Sequence, residues 1–177
     1  MSFSLSRVID PIEHSASADT LVEHFRPKIG RILPSDSART RWLQGSWLGH
    51  PLHPMLTDVV IGCWTTAWLI DVSGSKRHEP VADAMVGLGV LAVLPTVLSG
   101  WADWTRQPRS LQRVGVVHAA ANGLAATAYA ASWIARKRGN RRKGVVLGHI
   151  GATTATAGGF LGGHLAFQQR HVRGAPR

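Results

Sequence analysis

The chain has 177 residues, 45% of them apolar, with 20 Lys and Arg against 10 Asp and Glu for a formal charge of +10. That length suits one domain, and a lone cysteine, Cys63, excludes a disulfide framework or a thiolate zinc or iron–sulfur site within one chain. The basic residues form short clusters between long uncharged stretches, not a stripe along a helix face or groove, so nucleic acid is not an expected partner.

The opening stretch has no basic segment leading into an apolar one, so no cleavable signal peptide is expected. Residues 1–44 read as a polar arm punctuated by Pro11, Pro27 and Pro34. Within it, Thr20 and Glu23 fit a capping box, and Leu21, Val22, Phe25, Ile29, Ile32 and Leu33 follow near a 3.6-residue period. The pattern predicts a short amphipathic helix, bent at Pro27, that lies on a membrane surface or packs on its own domain. Trp42 and Trp47 follow, in keeping with the headgroup region of a bilayer.

Gly49-His50-Pro51-Leu52-His53-Pro54 then leads into the first of four apolar segments. Proline is tolerated in a helix's first turn, so Pro54 reads as an entry residue with two imidazoles at the mouth of the helix. The segments run over residues 54–70, 84–102, 114–135 and 144–169. The first holds only Asp58 as a charge, and the others hold only His118, His149 and His164 as groups that titrate near neutral pH. About 20 mainly apolar residues cross a bilayer, and no polar face recurs as it would in a soluble bundle. The expected fold is all-α: an integral membrane four-helix bundle over residues 45–169, with both termini on the same side and a basic tail at 170–177. The expected place is the bacterial inner membrane, as a multi-pass protein. Lys and Arg counts tie between the two sides, so sidedness is left open.

Four spans bring several ionisable groups to one leaflet. His50 and His53 open helix one there, His118 lies about a turn into helix three, and His164 comes near the end of helix four. Trp101, Asp103 and Trp104 close helix two at the same level. His149 lies roughly 22 Å from His164 along an α-helix, and His78 falls in the opposite loop. Ionisable residues inside a membrane are functional candidates by default, although one histidine can simply bond a backbone carbonyl.

Two chemistries suit such a site. One is haem b with His118 and His164 as axial ligands and Arg113 or His53 near the propionates, the glycines of helix four admitting the porphyrin. The other is a zinc or iron ion held by His50, His53, Asp58 and one of His118 and His164. In helix four, Gly158 and Gly162, and likewise Gly159 and Gly163, form small-xxx-small pairs that suit helix packing, including a homo-oligomer.

Gly49–Pro54 with Met55, Leu56 and Asp58 resembles the opening of a bacterial membrane-protein family, domain of unknown function 2231. Further likenesses are Gly100-Trp101-Ala102-Asp103-Trp104, the Arg113, His118 and Asn122 entry to helix three, and Gly162-Gly163-His164-Leu165. The resemblance covers roughly residues 45–167 and implies a four-helix membrane domain, with redox company suggested by relatives that accompany Rieske-type domains. The tail from Gln168 to Arg173 departs from the Gly-Val-rich end of the family. The expected function is a membrane module that carries haem or a metal near one interface and exchanges electrons with a partner protein. The alternative is a non-catalytic anchor or assembly subunit whose histidines serve packing. A membrane-embedded metal hydrolase with Asp58 as base is a third reading, without a complete constellation.

Overall fold

The computed structural model describes residues 6–174. All the regular structure among them is helical: α1 Ser6–Glu13, α2 Ala16–Ile32, α3 Ala38–Leu43, α4 Leu52–Ser73, α5 Glu79–Trp104, α6 Arg109–Lys137 and α7 Arg141–Gly174, with one 3₁₀ turn at Lys76–His78. Two of these, α4 and α5 with its preceding turn, are long and apolar enough to cross a membrane. The last helix runs to Gly174, past the expected end at 169.

Short connections make α4–α5 and α6–α7 antiparallel hairpins, and the remaining contacts, α5 on α6 and α4 on α7, close the four into a ring. The core is apolar, with Val60, Trp64, Val86 and Tyr129 inside it, but large apolar side chains also cover the outside. Small and polar residues such as Gly87, Gly89, Ser99, Ser132 and Arg136 are buried, while Val59, Leu69, Leu91, Leu94, Leu124, Val146 and Ile150 point outward. Glycine inside lets aromatic rings lie flat on the neighbouring helix: Trp133 covers Gly87 and Tyr129 covers Gly151.

The two hairpins repeat one another. An offset of 65 in the numbering carries His53 onto His118, Trp64 onto Tyr129 and Asp71 onto Arg136. Each of these pairs is in contact or nearly so: the histidine rings lie 6.4 Å apart, Trp64 and Tyr129 stack at 3.9 Å, and Asp71 and Arg136 form an ion pair of 2.5 Å. The same offset relates Gly74 to Gly139, which follow α4 and α6 at φ of 66° and 77° and end both in the left-handed conformation glycine favours. In the returning helices an offset of 62 carries Thr96 onto Gly158 and Gly100 onto Gly162. Equivalent residues that meet one another imply a pseudo-two-fold axis along the bundle, passing between α4 and α6.

The N-terminal helices pack onto this bundle. Ser15, whose Oγ accepts from the Ala18 amide at 3.2 Å, caps α2, so the helix starts ahead of the expected Thr20. Thr20 instead donates to the Ala16 carbonyl. Ala18, Val22 and Ile29 share a core with Trp104 and Val116, so the helix packs on its own domain, while Leu21, Phe25 and Ile32 stay exposed on its other side. The helix continues through Pro27 to Ile32. Ile9 of α1 packs with Val114 and Leu161.

Candidate functional site

The mouth of the bundle is built by one device used twice. Pro51 precedes α4 and places His53 in its first turn, where the imidazole Nδ1 donates to the Thr96 carbonyl of α5 at 2.9 Å. In the second hairpin, His118 Nδ1 donates to the Gly158 carbonyl of α7 at 2.9 Å. A carbonyl only accepts, so in each neutral ring Nδ1 carries the hydrogen and Nε2 keeps a lone pair. Each ring lies on the glycine one turn after its acceptor. A Cβ on Gly100 would sit 2.8 Å from His53 Cε1, and one on Gly162 would sit 2.9 Å from His118 Cε1. The rings are nearly perpendicular, at 80°. Ser99 Oγ lies 3.5 Å from His53 Nδ1, and the Asn122 amide donates to the His118 carbonyl at 2.9 Å.

The other expected residues lie elsewhere. His164 is two positions past Gly162, about 200° further around a helix, and its Nε2 meets Glu13 Oε1 of α1 at 2.9 Å. The ring that comes to His118 is therefore that of His53 and not that of His164. Asp58 is exposed on the outer side of α4, and His50 lines a separate pocket. Arg113 bonds Asp19 at 2.7 Å and the Glu13 carbonyl at 2.6 Å, so it is engaged by the N-terminal helices. Among the described residues, no group of three or more His, Cys, Asp or Glu side chains has the arrangement to hold a metal ion. The set His50, His53, Asp58 is not assembled, because Asp58 and His53 leave α4 in different directions.

The glycines of α7 divide by face. Gly158 is filled by the Asn122 side chain and Gly162 by the His118 ring, so the α6–α7 seam holds no slot for a porphyrin. Gly159 and Gly163 face open space.

Two arrangements carry charge outside this pair. Arg109 and Arg113 each bond Asp19 at 2.7 Å, and Arg109 also reaches Glu23 at 3.2 Å. These guanidinium bonds hold the Asp19 carboxyl down at about 2. At the opposite end of the bundle, the wholly buried Arg136 side chain bonds Asp71 at 2.5 Å and Asp83 at 2.8 Å. Arg141 joins both carboxylates, with 2.7 Å to Asp71, and reaches Glu79 at 3.1 Å. Sequence reasoning missed this network because its members flank the apolar segments and read as loop charges. The signal available was the 65-residue spacing of Asp71 and Arg136, shared with His53 and His118.

No curated protein and no solved structure matches this chain. The family described as "Predicted membrane protein (DUF2231)" matches residues 49–173, a stretch that starts just before the His-Pro motif and includes both hairpins. The chain belongs to that membrane-protein family.

Proposed function

We propose that the chain is a four-helix, multi-pass protein of the bacterial inner membrane that holds one copper or iron ion between His53 and His118 and exchanges electrons with a partner protein. The observation that carries this is the pair of equivalent imidazoles, each with Nδ1 fixed by a backbone carbonyl and a lone pair on Nε2, that of His118 lying 3.4 Å from the Asn122 amide nitrogen. A ligating histidine is commonly oriented by such a bond from its other nitrogen. A metal–imidazole bond is about 2.0 Å, so one ion shared by two rings sets their centroids roughly 6 Å apart, close to the 6.4 Å found here. Imidazole suits copper, iron and zinc, but zinc sites use three or four protein ligands, and only two are at hand. Haem is not favoured, since His164, the expected second axial ligand, is engaged by Glu13, and Gly158 and Gly162, on the side of His118, are occupied. Burial of all four helices in lipid is supported by the outward leucines, valines and isoleucines on α4, α5, α6 and α7.

The test is elemental analysis and absorption spectroscopy of the detergent-purified full chain. Stoichiometric copper or iron is expected, with no Soret band, lost to background in His53→Ala and His118→Ala and kept in His164→Ala. Metal-free protein, or metal content indifferent to both substitutions in folded variants, overturns the reading. The second reading, an anchor or assembly subunit, then stands. It is favoured by the fact that each imidazole already joins two helices through a carbonyl.

A further inference from the structure

Separate from the imidazole pair is an open pocket of about 540 Å³, lined among others by Arg41, Gln44, His50, Asp103, Arg106 and Gln107. One wall is α3 with the turn that follows it; the other is the end of α5 and its connection to α6. The turn needs glycine. Gly45 has φ of 77°, and a Cβ there would collide with the His50 carbonyl, so glycine permits the close approach of this turn to His50, which lines the pocket. Two arginines from distant parts of the chain are tethered to adjacent backbone groups. Arg41 Nη1 donates to the Asp36 carbonyl at 2.5 Å, and Arg106 Nη2 donates to the Ser35 carbonyl at 2.9 Å. One carbonyl bond leaves a guanidinium most of its N–H donors, and its planar fork suits a phosphate.

The surroundings say where such a phosphate would come from. Trp42 and Trp47, on the same α3 segment, are 56% and 58% exposed and stack on each other at 5.9 Å. The residues from Ser37 to Thr57 include Arg39 and Arg41 and no Asp or Glu. Exposed indoles with cations, just ahead of an apolar helix, are the composition of a membrane interface.

We infer that this pocket seats the phosphodiester headgroup of an anionic membrane lipid. Arg41, Arg106 and His50 face the phosphate, and Gln107 meets a headgroup hydroxyl, as in a glycerol headgroup. The inference is independent of the metal centre.

Native mass spectrometry of the detergent-purified full chain tests it, with short-chain phosphatidylglycerol and phosphatidylcholine as probes. Phosphatidylglycerol is expected to be retained at least about tenfold better, because each cation near an anionic surface contributes to binding. The double variant Arg41→Gln/Arg106→Gln loses that preference, Arg41→Lys/Arg106→Lys keeps much of it, and Arg142→Gln/Lys143→Gln, at the far end, keeps all of it. Gln107→Trp, which fills the pocket without changing charge, gives the same loss and serves if the glutamine double variant does not fold. Equal retention of the two lipids, or a preference unmoved in both the glutamine variant and Gln107→Trp, overturns the inference. Displacement of the lipid by millimolar inorganic phosphate also overturns it, making this a free-anion site.

Discussion

At the residue scale, the glycines of α5 and α7 are parts of the histidine site and not mere spacers. Gly100 and Gly162 are the floors on which His53 and His118 lie. Adding a methyl group there forces the ring or the helix to move, at a cost of about 1–3 kcal/mol. Gly100→Ala and Gly162→Ala are expected to lower the midpoint of thermal unfolding in detergent, whereas Gly159→Ala and Gly163→Ala, which point into open space, leave it level or raise it slightly. A uniform response of the four would contradict this division. The level of the site was legible in the sequence, since topology alone brings His53, His118 and His164 to one end. Its facing was not, because two residues on a helix separate Gly162 from His164 by more than half a turn, and helix rotation is set by packing.

At the element scale, the N-terminal helices are held on α6 by burial of Val22 and Ala18 and by the Asp19 ion pairs. Asp19 titrates at about 2 when docked and near 3.8 when free. The free carboxyl therefore takes up a proton first as pH falls. The docking contribution is fully present above the free value and is lost as pH drops through about 2. Hydrogen exchange over Ser6–Ile32 is expected to speed up across that interval in the native chain, and Asp19→Asn is expected to show fast exchange already above it. An Asp19→Asn variant exchanging as slowly as the native chain near neutral pH would sink the idea. The amphipathic period of α2 announced the helix, but Thr20 and Glu23 misplaced its start. Ser15 caps it instead, and Glu23 turns to Arg109, a residue too distant in sequence for any local rule to connect.

At the scale of the whole molecule, a repeat of two hairpins explains why the contacts fall where they do. Four apolar segments were readable from composition, but the repeat was hidden because few identities survive and the tighter α6–α7 connection shifts the offset from 65 to 62. Where the halves differ most, they differ in charge: Asp71, Glu79 and Asp83 belong to the first, Arg136 and Arg141 to the second. Removing one member of a buried pair leaves its partner uncompensated, a loss of about 3–5 kcal/mol. Arg136→Ala is thus expected to unfold far more readily than Arg142→Ala, whose side chain lies on the exposed surface, in parallel thermal melts.

That division of charge has a consequence for assembly. A chain made of two similar halves is at risk of pairing like with like, each first hairpin finding the first hairpin of another molecule and the chains linking into open strings. Here such a match would press acidic end against acidic end, or arginine against arginine, with Asp71 and Arg136 shielded from water. Only the unlike halves satisfy one another, and the short link from Thr105 to Pro108 keeps them within reach in the same molecule. The ion network thereby favours the pairing of the two unlike hairpins of one chain over the pairing of like hairpins from two chains.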